Sequence, residues 1–382
     1  MGESNRHHRQ NKIILRRKAA ESREAAPAYL NAVREIVVTP GRAMQATEVF
    51  ETYWRFAALR QDLFIRRVAG SLPPWTGDPV LACYRFTNVY RATDRVSQYL
   101  IRNVLYRGEQ SGEEIFFRAL LFKFFNRIDT WERLEAKTGP ITWKAFDFDR
   151  YARALDAVAE HQRPIYSAAY IMPSPAFGYR RKHLNHLRLL QHMMLDGAPF
   201  RVESARSLRE VFEILRSYPS LGNFLAFQFA IDLNYSGMLD FSEMEFVVAG
   251  PGARSGIRKC FADTGGFDDA DVIRAVTEMA DREFDRLGLS FHRLWGRPLQ
   301  LVDCQSLFCE VDKYARVVHP ASSGTAGRTR IKQRFTPKPK PVPQWYPPKW
   351  GLKVPENNTS QQTDDADATQ EQGALAFSDS EE

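Results

Sequence analysis

Apolar and aromatic residues recur at helical spacing along most of this chain. Between Thr47 and Val68 the residues Phe50, Trp54, Ala57, Ala58, Phe64 and Ile65 follow a helical period, with Arg55, Arg60, Arg66 and Arg67 set among them. Gly70 ends this helix and Pro73-Pro74-Trp75-Thr76 forms a turn. Asp78-Pro79 supplies an N-cap and a first-turn proline. The pattern predicts one long helix from there towards Tyr106. Arg85, Asn88, Arg91 and Arg95 then lie three or four apart on one face. Such a row of planar donors suits phosphate, and a solvated face is the plainer reading.

Glu113 to Ile128 is apolar on all sides, which predicts a central buried helix. Trp131–Gly139 and Tyr151–Glu160 continue in helical character. Asp147 and Asp149 read as a loop and a helix cap. Ile165–Pro175 loses the period and reads as a linker over the surface or a groove. His183, His186 and His192 follow on a helix without an acid to complete a ligand set, so no metal site is expected.

The stretch from Leu215 to Asp240 changes the picture. A helix ends at Tyr218-Pro219, because proline cannot continue it. Gly222 permits a tight turn, and Ala226, Phe229 and Ala230 begin a second helix. Backbone N–H groups around Gly222 and Asn223 would then face outward at a helix N-terminus, a seat for phosphate. Asp240 lies one helix further on. A functionless αα-hairpin fits the same residues.

A second glycine-rich turn, Gly250 to Gly256, feeds another helix. It lacks the G-x-x-x-x-G-K-[ST] spacing of a phosphate loop. An anion nest built from Gly250 and Gly252, with Arg254, Arg258 and Lys259 around it, remains compatible. Asp268 to Leu287 is amphipathic. Over Leu299–Tyr314, Asp303 and Glu310 share a stripe with Ser306 and Lys313 nearby, and Gln305 lies beside it. The opposite stripe is Leu307, Phe308 and Val311. Two acids, an amide and a lysine on one helix suit proton chemistry, and a salt-bridge network is the alternative.

Composition narrows the partners. The 382 residues carry a formal net charge of +7 and a pI near 9.2, which favours an anionic partner such as DNA. Four scattered cysteines exclude a disulfide framework and give no zinc spacing. No apolar run is long enough for a membrane span, and the basic N-terminus is not a signal peptide, so an intracellular location and no membrane partner are expected. Residues 1–40, including Arg16-Arg17-Lys18, read as a basic, largely disordered extension. Residues 41–320 read as an all-α, multi-helix domain. Residues 321–382 read as a Lys/Pro-aromatic linker, free to lie along the domain or DNA, and an acidic disordered tail.

Several of these segments together resemble a known family. Tyr53-Trp54-Arg55-Phe56, Pro73-Pro74-Trp75-Thr76, Tyr84-Arg85-Phe86-Thr87-Asn88-Val89-Tyr90-Arg91, Gly222 to Ser236, and Leu301-Val302-Asp303-Cys304-Gln305 through Lys313-Tyr314 look like the 5-hydroxymethyluracil DNA kinase helical domain, also called the alpha-glutamyl/putrescinyl thymine pyrophosphorylase family. The resemblance spans Thr47 to Pro320. It implies a fold similar to the helix-hairpin-helix DNA glycosylases, and an enzyme that replaces pyrophosphate on a 5-(pyrophosphoryloxymethyl)uracil in DNA with an amine. It also implies a DNA-base kinase in the same pathway, while no kinase activity is carried over to this chain.

Under that resemblance Arg85, Arg91, Arg95, Arg254 and Lys259 are candidate pyrophosphate clamps, with Asn88, Gly222, Asn223, Gly250 and Gly252 as further DNA or phosphate contacts. Asp303 or Glu310 would be base or ammonium anchor, with Lys313 beside them. Gln305 would read the uracil edge, and Mg2+ on the pyrophosphate is compatible. The glycosylase comparison sets Asp240 near the catalytic acid and Phe224 where a bifunctional glycosylase has lysine. Base excision and non-catalytic binding of modified DNA are the alternatives.

Overall fold

Thr47 starts the first long helix. In the computed structural model, which describes residues 34–160, 163–322, 329–337 and 343–355, Thr47 Oγ1 accepts from Val49 N at 3.2 Å and helix α1 runs Glu48–Val68. Ala69 caps it, and Gly70 follows at φ 77°. The fold is mostly helical, as the periodicity requires.

Two helices have no solvent face, and the rest pack around them. Helix α4 (Gly112–Phe125) buries nearly every residue, from Ile115 to Phe125. Helix α10 (Asn223–Asn234) does the same from Leu225 to Asn234. They lie against each other, with Phe124 and Phe229 ring to ring at 5.8 Å. Helices α5 (Ile128–Thr138), α6 (Phe148–Glu160), α7 (Lys182–Leu195), α8 (Ala198–Glu203) and α9 (Leu208–Arg216) form the layers on that side.

On the other side, α11 (Pro251–Cys260) packs on α14 (Leu301–Val318), and both pack on α1. This contact explains the second glycine-rich turn. A Cβ on Gly252 would lie 2.3 Å from Cys309 Sγ, and one on Gly256 would lie 2.0 Å from the Phe308 carbonyl oxygen. These glycines let two helices approach closely; they are not an open nest.

The long helix expected from Asp78 to Tyr106 does not form. Asp78 caps a short α2 (Pro79–Cys83), and Tyr84 turns extended at φ −121° and ψ 152°. Tyr84 bridges Arg334, Arg85 N donates to Gln333 O at 3.1 Å, and Phe335 N donates to Cys83 O at 3.1 Å. Asn88 and Asp94 then close a loop: Asn88 N donates to Asp94 Oδ1 and Asn88 Nδ2 to Thr93 O, both at 2.9 Å. Such local side-chain bonds compete with helix. A 3-10 turn (Arg91–Thr93), α3 (Arg95–Tyr99) and a π-helical turn (Leu100–Leu105) follow. Arg85 and Arg95 are exposed and Arg91 is buried, so the proposed cationic face is absent.

The helical reading also missed a small antiparallel sheet. Strands β1 (Arg34–Thr39) and β2 (Arg42–Ala46) form a hairpin, and β3 (Phe261–Asp263) adds to β2 directly after α11. Residues 34–39 therefore belong to the fold, not to a disordered extension. Ile36, Met44 and Ala46 point inward on the period of two. The amphipathic stretch after Asp268 is two helices, α12 (Asp269–Glu278) and α13 (Ala280–Arg286), broken at Met279.

The aromatic part of the segment after residue 320 lies along the domain, one of the two places open to it. Residues 343–352 form a strap on the domain. Trp345 N donates to Gln98 Oε1 at 2.7 Å, and Tyr346 is buried beside Trp295. The Trp350 ring lies 3.8 Å under the Arg297 guanidinium. Trp345, Tyr346, Lys349 and Trp350 all contact the domain. Arg16-Arg17-Lys18 and the acidic tail lie outside the described residues.

Candidate active site

In α4 the buried charges Glu114 and Arg118 lie 3.7 Å from each other, while Lys123 there and Asp232 in α10 need partners from elsewhere. Lys123 lies in Phe116-Phe117-Arg118-Ala119-Leu120-Leu121-Phe122-Lys123-Phe124-Phe125 of α4. Asp232 lies in Phe227-Gln228-Phe229-Ala230-Ile231-Asp232-Leu233 of α10. An unpaired buried charge costs several kcal/mol, about 3–5 when one partner of a buried pair is removed. They meet at 2.9 Å, Lys123 Nζ to Asp232 Oδ2. The second oxygen, Oδ1, accepts from Arg91 Nη1 at 2.7 Å. All three side chains are buried.

Two cations and one carboxylate leave this triad with one excess positive charge. Burial alone would push the Asp232 carboxyl up, but Arg91 and Lys123 outweigh it and hold it below the usual range. Burial pulls the Lys123 ammonium down, against the pull of Asp232. The carboxylate therefore stays ionised, while Lys123 is the more easily deprotonated of the two cations.

Planar polar groups line the same cluster. Arg91 Nε donates to Gln228 Oε1 at 3.0 Å, and Tyr170 Oη donates to the same oxygen at 3.2 Å. Gln228 Nε2 reaches Gln305 Oε1 at 3.4 Å. Gln228 is one turn before Asp232 on α10, so both project to one side. Tyr170 comes from the irregular segment 163–179. Its ring stacks on Phe224 at 5.8 Å between centroids and 25° between planes, with Lys123 Nζ 4.7 Å from the ring centroid.

Helix α14 positions Arg91 through its acids. Asp303 Oδ1 accepts from Arg91 N at 2.8 Å, and Asp303 Oδ2 accepts from Gln300 N at 3.1 Å in a capping box. Burial and nearby Glu243 push the Asp303 carboxyl up to about 7, against those two N–H donors. Two turns further, Glu310 Oε2 accepts from Thr87 N at 3.1 Å and pairs with Lys313 at 2.6 Å. The acidic stripe thus holds the Thr87–Arg91 backbone against α14.

The other expected residues scatter. Asn88 Oδ1 accepts from buried Arg60 Nη2 at 2.6 Å. Lys259 is buried and pairs with Asp312 at 3.2 Å, so it is a structural ion and no surface clamp. Arg254 pairs with Asp269 at 3.3 Å on the surface. Asp240 lies beyond the end of α10, with its side chain 84% exposed and 3.9 Å from Lys349.

The hairpin is where the sequence placed it, between α9 and α10. Ser220, at φ 67°, makes the left-handed turn, and Gly222 is an extended N-cap at φ −69°. Gly222 and Asn223 are exposed, and the free N–H groups of the first turn of α10 point outward there. Gly250 abuts the Phe224 ring, where its Cβ would come within 2.6 Å. Phe224 therefore joins the hairpin, the Gly250 turn and Tyr170.

Of the residues in this cluster, Arg91 and Gln305 are expected from the sequence, and Lys123, Gln228, Asp232 and Tyr170 are not. The available signal was Asp232, the one charge in α10, and a buried lysine on α4, where the other buried charges, Glu114 and Arg118, lie beside each other.

Comparison with known proteins gives a consistent frame. The model of the "5-hmdU DNA kinase, helical domain" family matches residues 47–324. A "5-hmdU DNA kinase" of Bacillus phage SP10 is 31% identical over 313 residues, which is 75% of this chain and 48% of that protein. The chain thus spans about half the length of this curated relative. No solved structure matches it.

Proposed function

Since the chain belongs to the family of the 5-hmdU DNA kinase helical domain, we propose that it modifies a 5-hydroxymethyluracil-derived base in DNA, displacing pyrophosphate from the base methylene with an amine. The observation that carries this reading is the buried Arg91–Asp232–Lys123 triad, with its excess positive charge, beside two glutamines and at the foot of a hairpin.

The reaction breaks the methylene C–O bond and forms a C–N bond. Pyrophosphate leaves with the bonding electron pair, and the amine loses a proton. A base stacked in a duplex is out of reach, so the nucleotide must be extruded or single-stranded. The N–H groups at Gly222 and Asn223 would hold backbone phosphate. Gln228 and Gln305 offer the paired donor and acceptor groups that a uracil edge needs. Arg91 and Lys123 would stabilise the leaving oxygens. Asp303 acts through Arg91 as a positioning residue. The chain contains no G-x-x-x-x-G-K-[ST] run, so the reading assigns it transfer, not phosphorylation.

One observation favours a second reading. A buried lysine next to a buried aspartate is also the pair that imine-forming base excision uses. Incubating the protein with DNA bearing 5-(pyrophosphoryloxymethyl)uracil and an amine pool, followed by mass spectrometry of nucleosides, separates the two. An aminomethyl adduct with released pyrophosphate supports transfer. Abasic sites, with DNA trapped on Lys123 by borohydride, support excision. Neither product would leave a non-catalytic reader of modified DNA.

A further inference from the structure

The segment from Arg163 to Lys182 carries four cationic side chains (Arg163, Arg180, Arg181, Lys182) and no acid. Up to Arg181 it has no regular secondary structure, and it touches the Asp232 cluster through Tyr170, which meets Gln228 and Lys123. At its middle the chain reverses sharply. Tyr170 adopts φ 56°, a left-handed conformation that non-glycine residues rarely hold. The reversal sends consecutive side chains in different directions. Tyr170 turns inward onto Phe224 and Gln228. Ile171 points outward and is 88% exposed, the most exposed large apolar residue described.

Position gives this exposure a meaning. Phe224 is the second residue of α10, next to the exposed Gly222 and Asn223 at the hairpin. Consecutive Cα atoms are about 3.8 Å apart, so Ile171 is a close neighbour of the phosphate-facing hairpin. Arg163 and Arg181 already pair with Asp129 and Asp156, which leaves the exposed Arg180 and the N–H groups at Gly222 and Asn223 to meet an anion. An exposed apolar tip beside that hairpin and a buried polar cluster matches one occupant, duplex DNA with one nucleotide displaced from its stack. The hairpin and Arg180 would meet phosphate, and the apolar tip would meet the base faces left without a neighbour.

We infer that Ile171 is a wedge that fills the gap left by an extruded nucleotide, while Tyr170 lines the pocket receiving the base. This rests on the DNA-base reading above and adds to it the element that enters the duplex.

The test uses the full chain and a duplex in which 2-aminopurine flanks one 5-hydroxymethyluracil. Fluorescence of 2-aminopurine rises when it loses a stacked neighbour. Wild-type protein should raise it about threefold or more, and Ile171→Leu should preserve the rise. Ile171→Asp should abolish it while still binding the same strand unpaired. Phe200→Ser, which removes an exposed apolar side chain on α8 (74% exposed), should change nothing. An unchanged rise with Ile171→Asp, or duplex binding by wild type without any rise, overturns the wedge and leaves the DNA reading standing. Failure of wild type to bind either DNA form overturns both.

Discussion

Arg91 Nη1 and Asp232 Oδ1 meet 2.7 Å apart in the interior, although their residues are 141 positions apart in the chain. The pair ties the irregular Thr87–Arg91 segment to the helix after the hairpin. Lys123 shares the same carboxylate from a third element. Removing Asp232 leaves two buried cations facing each other. Asp232→Ala should therefore destabilise the protein by about 3–5 kcal/mol in urea titration. The double variant Asp232→Leu with Lys123→Met should recover part of that loss, because it leaves one fewer buried charge unpaired.

Glycine at position 256 is required by distance. A methyl group there would meet the Phe308 carbonyl at 2.0 Å, a backbone atom that cannot rotate away. Gly256→Ala should force α11 and α14 apart and cost about 1–3 kcal/mol. Gly222→Ala meets nothing within 4 Å and has an ordinary φ, so its stability should stay within about 0.5 kcal/mol of wild type. Equal melting of the two variants would remove the close-packing account of the second glycine turn.

Lys349 supports the other end of the site helix. Its Nζ donates to Asn234 O at 2.6 Å, Ser236 O at 2.9 Å and Leu239 O, at and just beyond the C-terminus of α10. A cation there satisfies carbonyls that the helix leaves open and complements its dipole. Lys349→Met should lower stability by about 2 kcal/mol in thermal or urea unfolding. Hydrogen exchange should quicken first in residues 231–239. Loss confined to the strap itself would contradict this support.

His186 predicts a pH response. It is fully buried, with Nδ1 2.6 Å from Tyr166 Oη and Nε2 2.9 Å from Pro173 O, and its ring is stacked on Phe124. Burial is the main force pulling it from 6.5 to about 4. Its folded value is below the unfolded one, so the unfolded state binds the proton first as pH falls. The contribution is fully present above 6.5 and is lost on acidification towards 4. Stability at pH 5 should be about 2 kcal/mol lower than at pH 7 from this group. Burial pushes Asp303 up to about 7, which acts with the opposite sign over the same range. The check is therefore the difference between wild type and His186→Gln: the variant should gain about 2 kcal/mol relative to wild type between pH 7 and pH 5.

Period and composition made the helical architecture legible, because a helix buries a stripe and leaves its signature every three or four residues. Thr47, Asp78, Pro219 and Gly70 marked real boundaries for local reasons of capping and backbone geometry. The Asp78–Tyr106 helix failed because the pairing of Tyr84 with Arg334 comes from 250 residues away, outside any local window. The sheet escaped for the same reason, since β3 reaches β2 from over 200 positions later. At the candidate site, Asp240 and Lys259 are legible in the sequence but lie outside the cluster, whereas the buried charges Lys123 and Asp232 lie inside largely apolar runs. Their partnership depends on tertiary packing, and only their placement among phenylalanines and leucines hinted at it.

The central claim is that the Asp232 cluster transfers an amine onto a pyrophosphorylated base. Mass spectrometry of nucleosides from DNA carrying 5-(pyrophosphoryloxymethyl)uracil, incubated with an amine pool, tests it most directly. Wild-type protein should yield a 5-aminomethyl-linked uracil and release pyrophosphate. Gln228→Ala and Asp232→Asn, each shown folded by circular dichroism, should reduce the yield by about a hundredfold or more. Full adduct formation by a folded Asp232→Asn variant, or abasic DNA in place of the adduct with wild type, would contradict the account.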